Sequence, residues 1–312
     1  MNELNRETSI VYSYSNKRID LIGEPGIVSW KSCWDFVLND KSFRRYFSGY
    51  EFVMNRNFIN NSDKIQLKNP SQNYIDSLRV KYRFKPVKNG TIVIRGNGNE
   101  DHHLTFKMKS GGIIEVFDPS DITGEYGGMF STFHQKKFKY ITGAKSVVTH
   151  KHHPQCTVGD TFCQTWTIAR LNDNLHKYTE HIPNRKMSNS DPQLIDRMAG
   201  SMTNIIHAIS RSSVFINFLR AHKSEFAKEF NDIRSSNGLP KLKEPVVNFI
   251  HVSQNIQKKH IANIMTRGDL VADKNNDEIR RILLNALSDK PHTSIEKRRM
   301  ITNSIRRIRN NT

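Results

Sequence analysis

The strongest constraint on the fold is a period-two alternation of apolar residues on either side of a Ser-Gly-Gly sequence. Residues 103–109 read HLTFKMK and residues 113–117 read IIEVF. Alternation of this period places every second side chain on the same face of an extended strand. The small residues at 110–112 allow a tight reversal of the chain. The pattern therefore predicts two antiparallel strands joined by a short turn.

Further elements follow from the same kind of reasoning. The segments 80–84 and 91–95 (TIVIR) alternate as well, and the Asn89-Gly90 pair between them is typical of a hairpin turn. We therefore expect an antiparallel meander over residues 80–118. Aromatic residues recur at near-helical spacing over residues 30–58, and helical patterns return after Phe162 and again between Met202 and Phe230.

The order of these patterns predicts an α+β fold in three segments. Residues 1–75 are interpreted as an irregular and helical N-terminal extension, residues 76–238 as the core domain, and residues 239–312 as a basic, largely helical C-terminal region. The turn-forming sequence at 237–240 (NGLP) marks the second boundary.

Charge limits the classes of partner. The chain of 312 residues has 48 Lys and Arg against 30 Asp and Glu, a formal charge of +18. Such a field favours a polyanion. We expect non-specific binding of DNA or RNA through the basic run Lys297 to Arg309. A non-catalytic, basic nucleic-acid-binding protein is therefore the alternative to an enzyme.

The composition also bears on location. Three cysteines are too few for a disulfide framework, which indicates a reducing compartment. The first residues lack the apolar stretch of a secretory signal, and no apolar run approaches the length that spans a membrane. We therefore expect a soluble intracellular protein without a membrane partner.

Cys163 is the candidate nucleophile because of its place in the sequence GDTFCQTW (159–166). Asp160 or Thr161 is a suitable N-cap, so Cys163 is predicted in the first turn of a helix. Unpaired backbone N–H groups and the helix dipole favour a thiolate there. The same N–H groups can stabilise an oxyanion.

A histidine and an acid precede this cysteine on the predicted hairpin. His103 opens one strand and Asp118 follows the next, so the two side chains are expected to meet across the strand pair. Asp118 would then orient His103 while the other ring nitrogen faces the thiol. His102 is the alternative histidine, and Asp121 is the alternative acid.

In this chain order, the histidine, the acid and the cysteine at a helix start resemble the ubiquitin-like-protein protease superfamily. That group includes the SUMO-deconjugating enzymes and the adenovirus maturation protease. The strings IEVFDP (114–119) and DTFCQTW (160–166) are most similar to members encoded by large DNA viruses, and the likeness covers roughly residues 80–180.

The resemblance implies a papain-like architecture, in which a helix with Cys163 packs on an antiparallel sheet that carries His103 and Asp118. It also implies that Gln155 helps to bind the oxyanion, with Gln164 as the fallback donor. The implied enzyme is a cysteine endopeptidase that needs no metal or organic cofactor. It would cleave after small residues such as Gly-Gly.

The implied substrates are viral precursor proteins or conjugates of ubiquitin-like modifiers. The host cytoplasm is the implied location, with packaging in the virion as a further expectation. One competing interpretation concerns His150, His152, His153 and Cys156, whose residue types suit zinc. Because no second Cys/His pair follows at finger-like distance, an exposed loop before the active-site helix is the favoured interpretation.

Overall fold

The computed structural model describes residues 24–95, 101–120, 130–150, 152–155, 160–180 and 192–272. Asp121, Cys156 and the basic run Lys297 to Arg309 lie outside these ranges. The chain divides into two compact units, Met1–Thr266 and Arg267–Thr312. The first unit contains every described strand.

One mixed five-stranded sheet forms the centre of the fold, and the α+β prediction is confirmed. Its strands lie in sequence order, with β1 parallel to β2, β2 and β4 antiparallel to β3, and β4 parallel to β5. The strands are β1 (Glu51–Met54), β2 (Asn89–Arg95), β3 (Asp101–Lys109), β4 (Ile113–Phe117) and β5 (Ser146–Thr149). The predicted hairpin is present as β3 and β4, with Lys109 opposite Ile113.

The described residues form eleven α-helices in addition to this sheet. They are α1 (Glu24–Asn39), α2 (Lys41–Arg45), α3 (Asn61–Gln66), α4 (Gln72–Tyr82), α5 (Thr132–Thr142), α6 (Cys163–Leu171), α7 (Pro192–Arg211), α8 (Ser213–Ala221), α9 (Lys223–Ser236), α10 (Pro245–Asn255) and α11 (Lys258–Ala272). In the part of the chain that the structure describes, no helix is long and apolar enough to cross a membrane.

Side chains of the hairpin point alternately to the two faces of the sheet. Each face therefore packs against its own cluster of buried apolar residues. Leu104 and Phe106 of β3 pack with Phe138 of α5. Phe117 of β4 belongs instead to the cluster that contains Trp166 of α6. The helix that starts at Cys163 therefore packs on the face opposite to α5. Thr167 fixes it there by donating a hydrogen bond to the carbonyl oxygen of His103, at 3.0 Å.

Residues on both sides of the predicted segment boundaries share the second cluster. Trp34 of α1 and Phe249 of α10 lie with ring centroids 6.5 Å apart. The Trp34 Nε1–H also donates to Thr165 Oγ1 of α6, at 2.9 Å. Helices from before residue 76 and after residue 238 thus support the helix that carries the cysteine.

Three predicted elements are wrong. Residues 51–54, expected to be helical, form β1, because parallel pairing with β2 buries Phe52 and Met54 on alternate positions. Residues 80–82, expected in a strand, end helix α4, whose Ser71 N-cap accepts a hydrogen bond from Tyr74 N–H. The pair Asn89-Gly90, expected in a turn, lies inside β2.

Gly90 is required in β2 because there is no space for a side chain at this position. A Cβ at this position would lie 2.6 Å from Phe106 Cε1 and 2.9 Å from the carbonyl oxygen of Tyr50. The Phe106 ring is fully buried and cannot easily move aside. The glycine is therefore a packing residue of the sheet.

We expect Gly90→Ala to lower the free energy of unfolding by about 1–3 kcal/mol through overpacking. Gly49→Ala is the matched control, since nothing lies within 4 Å of a Cβ there. Urea unfolding of the full chain measures both. Equal stability of the two variants would show that β2 and β3 accommodate the methyl group.

Candidate active site

Cys163 is the first residue of α6, and the first backbone N–H groups of this helix have no acceptor within it. The first intrahelical bond runs from Trp166 N–H to the carbonyl oxygen of Phe162, at 3.0 Å. The N–H groups of the first three helical residues therefore have no acceptor in their own helix. The Cys163 side chain is 8 % exposed, and Sγ lies 3.8 Å from the carbonyl oxygen of Asp101.

The loop before Cys163 is fixed by a buried acid. Asp160 accepts hydrogen bonds from Phe162 N–H and from Trp166 Nε1–H, both at 2.9 Å. Phe162 is thus the N-cap, and the predicted N-caps Asp160 and Thr161 are wrong by one or two residues. Burial raises the pKa of Asp160 to about 6, against the lowering effect of those hydrogen bonds and of Lys31.

Helix α1 holds the same loop from the other side. Lys31 donates to the carbonyl oxygen of Thr161 at 3.2 Å, and its ammonium lies 4.6 Å from the centre of the Phe162 ring. The ammonium also pairs with Asp35 one turn along α1. The backbone that precedes Cys163 is therefore held on both sides by side chains.

His102, the first histidine of the pair, contacts the acid and the thiol. Its Nε2–H donates to Asp118 Oδ1 at 2.7 Å. The thiol of Cys163 lies beside this histidine, with Sγ 3.8 Å from the carbonyl oxygen of the preceding residue, Asp101, and it helps to raise the pKa of His102. Because Nε2 is used by the carboxylate, Nδ1 is the ring nitrogen available to the sulfur. The order of contacts is thus Cys163, His102, Asp118.

The predicted pairing of His103 with Asp118 is wrong, and the strand register explains why. Thr105 lies opposite Phe117 and Phe106 opposite Val116, so facing positions in β3 and β4 always share the same parity. Side chains alternate between the two faces of a sheet. His102 and Asp118 therefore lie on one face, as diagonal neighbours, and His103 points to the other.

His103 is instead buried between the sheet and α6. Its Nε2 accepts a hydrogen bond from the Gln164 amide at 3.2 Å. Burial, together with the charges of Arg44 and His102, lowers the pKa of His103 to about 3. The ring is therefore neutral at physiological pH.

The opposite holds for His102. Burial alone would lower its pKa, but the Asp118 charge, hydrogen bonds to Asp118 and Cys163, and the Cys163 charge together raise it to about 10. The imidazolium form is therefore the stable one at neutral pH. A cationic ring therefore lies near Cys163 at the start of α6.

Ser120 is a member of the cluster that sequence reasoning missed. Its hydroxyl donates to Asp118 Oδ1 at 2.8 Å, and its N–H donates to the same atom at 3.0 Å. The hydroxyl oxygen also lies 3.3 Å from His102 Nε2. The sequence Asp-Pro-Ser carries a signal for this contact, since an aspartate commonly accepts from the N–H two residues later.

Gln155 lies on the strand-like segment beside Asp118. Its N–H donates to the carbonyl oxygen of Pro119 at 2.6 Å, and Ser120 and Gln155 form an isolated parallel bridge. Its side-chain amide donates to the carbonyl oxygen of Asp160. An amide group has a second hydrogen to donate, so Gln155 is placed beside the loop that precedes the cysteine with one donor to spare.

Gln164, the fallback donor, is occupied elsewhere. Its amide nitrogen donates to Asn39 Oδ1 at 2.5 Å and to His103 Nε2 at 3.2 Å. Both amide hydrogens are thereby used in the core. Among the described residues, Gln155 has one acceptor for its two amide hydrogens, whereas Gln164 has two.

The histidines before Cys163 make separate contacts. His153 Nδ1–H donates to the carbonyl oxygen of Asp118 at 2.8 Å, which supports the acid from behind. His150 and His152 lie with ring centroids 5.3 Å apart. Within the described ranges, no group of three His, Cys, Asp or Glu residues is placed to hold a metal ion. Cys156 lies outside those ranges.

Comparison of the chain with family models, curated proteins and solved structures gives no significant match.

The ionisation of the two histidines can be measured directly. Imidazole nitrogen NMR should show His102 protonated up to about pH 10 and His103 neutral down to about pH 3. Asp118→Asn removes the charge that holds the proton on His102, so its pKa should fall below 7. A wild-type His102 that titrates near 6.5 would contradict the described contacts.

The same shift predicts a pH dependence of stability. The pKa of His102 is raised in the folded state, so its stabilising effect is complete below pH 6.5 and is lost as the pH rises towards 10. The difference in urea midpoint between wild type and Asp118→Asn should narrow over this interval. A difference in urea midpoint that does not change with pH would show that the ionisation of His102 does not cause the loss of stability.

Proposed function

We propose that the protein is a cysteine endopeptidase with Cys163 as nucleophile, His102 as general base and acid, and Asp118 as the orienting acid. The observation that carries the proposal is the buried hydrogen bond between His102 and Asp118, next to a cysteine that opens a helix and lies 3.8 Å from the carbonyl oxygen of Asp101. His102 replaces His103, the residue that the sequence favoured.

In the proposed reaction, the Cys163 thiolate attacks the carbonyl carbon of a peptide or isopeptide bond. The imidazolium of His102 then gives its proton to the leaving amine, and an acyl-enzyme forms. Neutral His102 next removes a proton from water, which attacks the thioester and releases the acid. Asp118 and Ser120 keep the ring in the required orientation throughout.

The oxyanion of the tetrahedral intermediate is expected to form beside the start of α6. The Cys163 N–H is one unpaired donor there, and the spare Gln155 amide hydrogen is the proposed second donor. Donors held in place before the reaction stabilise the developing charge without reorganisation. The contact of Gln155 with the carbonyl oxygen of Asp160 supports this role.

The proposed substrates follow from the sequence resemblance described above. They are proteins cleaved after small residues such as Gly-Gly, either viral precursors or conjugates of ubiquitin-like modifiers. The burial of Cys163 supports this substrate class. A buried nucleophile favours an extended substrate with small side chains near the cleaved bond.

The direct test measures hydrolysis of a panel of Gly-Gly peptides by matched variants. We expect Cys163→Ala and His102→Ala each to lower turnover by about 10⁴-fold or more. Cys33→Ala and His103→Gln are the controls, since each changes the same residue type outside the cluster. Circular dichroism and urea unfolding confirm that each variant is folded.

Alkylation gives a second readout that needs no substrate. Iodoacetamide at pH 6 should modify Cys163, because only a thiolate reacts. Burial raises the pKa of the Cys33 thiol, so Cys33 should stay unmodified in the folded chain. Loss of hydrolysis in His103→Gln but not in His102→Ala would overturn the assignment of the base.

The two glutamines give a further prediction. Gln155→Leu should lower kcat by about 10²–10³-fold with little change in KM, as for removal of one oxyanion donor. Gln164→Leu should instead lower the urea midpoint, since it removes one buried and one partly buried hydrogen bond. A Gln155 variant that changes only stability would restrict this residue to a structural role.

A further inference from the structure

Positive charge is unevenly distributed over the folded unit. Residues 79–88 contain five basic residues and no acidic one, whereas residues 223–244 contain five basic and four acidic residues. The formal charge of +18 is therefore not spread uniformly over the chain.

The strand order places several basic residues at one end of the sheet. Lys88 directly precedes β2, Lys109 ends β3 and Lys145 directly precedes β5. The carbonyl oxygen of Lys88 accepts from Met108 N–H at 2.7 Å, and Lys145 N–H donates to the carbonyl oxygen of Gly112 at 2.8 Å. The three lysines thus lie at the same end of neighbouring strands, and all three are exposed.

Helix α4 ends beside them and adds further cations. Arg79 donates to the carbonyl oxygen of Tyr140 at 3.2 Å, which joins the end of α4 to the end of α5. The six exposed residues that define this basic end are Lys81, Arg83, Lys85, Lys88, Lys109 and Lys145. Among the described acids, only Glu115 pairs with one of them, at 3.5 Å from Lys109.

Arg83 supplies an independent observation. It has φ 44° and ψ 48°, in the left-handed region, at the C-cap of α4. Glycine is the usual residue at such a position because a Cβ is strained there. A cation is therefore present at this point although a smaller residue would suit the backbone better.

We propose that the basic end binds the phosphate backbone of duplex DNA, without reading its sequence. The three strand spacings from β2 to β5 spread these cations over about 14 Å, enough to face several phosphates of a duplex that carries one charge per roughly 1.7 Å of its axis. The exposed apolar side chains at this end, Val80 and Ile113, are too small to anchor the surface in a lipid bilayer. The surface therefore fits a nucleic acid better than a membrane.

This surface is separate from the proposed active site. His102 lies at the start of β3 and Lys109 at its end, seven residues apart, which corresponds to about 24 Å along a strand. DNA at the basic end would therefore leave the Cys163 end accessible. The proposal does not depend on proteolytic activity.

The test compares two triple variants of the full chain, each with a charge of 18 − 3 = +15. Lys85→Gln, Lys88→Gln and Lys145→Gln together alter the basic end. Lys228→Gln, Lys241→Gln and Lys243→Gln remove three exposed lysines elsewhere. Fluorescence anisotropy with a 30-base-pair duplex (a length of roughly three helical turns) is recorded between about 50 and 200 mM salt.

We expect the first triple variant to reduce the slope of log affinity against log salt by about 2–3, near 0.9 for each phosphate that the protein no longer neutralises. The control triple variant should change it by less than about 1. Equal effects of the two variants would show that only net charge matters and would overturn the proposal. So would a first variant that no longer binds vesicles of anionic lipid but keeps the wild-type slope with DNA.

Arg83→Gly separates binding from stability. Because glycine relieves the left-handed strain, the urea midpoint should rise or stay constant, while the salt slope falls by about 1. The rate on a short peptide should be that of the wild type. If Arg83→Gly raises stability and leaves the salt slope unchanged, Arg83 does not belong to the DNA-binding surface.

Discussion

The contact between His102 and Asp118 depends on the register of a single hairpin. Lys109 lies opposite Ile113, and this pairing carries along the strands to their far ends, where the histidine and the acid meet. A slip of one residue would turn Asp118 towards the opposite face. The register is secured at the turn, where Gly111 and Gly112 have φ values of 74° and 77°. It is also secured by Leu104 and Phe106, which a slip of one residue would remove from their cluster with Phe138 and turn to the opposite face.

Burial makes that contact both costly and consequential. Removing a carboxylate and an imidazolium from water is unfavourable unless additional hydrogen bonds satisfy them. Asp118 Oδ1 accepts from the N–H and the hydroxyl of Ser120, and the Asp118 carbonyl oxygen accepts from His153. These bonds hold the acid in position without neutralising it. The retained negative charge keeps His102 protonated, and the proposed chemistry depends on that proton.

The sequence predicts some of this arrangement and misses the rest for physical reasons. The hairpin and the helix start at Cys163 are evident from local patterns, because alternation and N-terminal helix signals act over a few residues. The even-numbered positions of Leu104, Phe106 and Asp118 would also have selected His102, whereas the sequence analysis favoured His103 because it opens the strand. Strand β1 and the binding of Gln164 to Asn39 depend on contacts between residues far apart in the chain. No local pattern reports such contacts.

The central sheet places the two candidate functions at a distance from each other. Its antiparallel pair has His102 and Asp118 at one end, and turns at the other end beside Lys88 and Lys145. Chemistry at a buried thiolate requires a site that a long polyanion does not occupy, because bound phosphates would alter the ionisation on which the site depends. Since solvent-exposed charges are screened over about 8–10 Å at physiological salt, a separation of about 24 Å along β3 weakens the effect of phosphates at one end on the residues at the other. The length of one strand thus keeps the proposed DNA-binding surface apart from the proposed catalytic cluster.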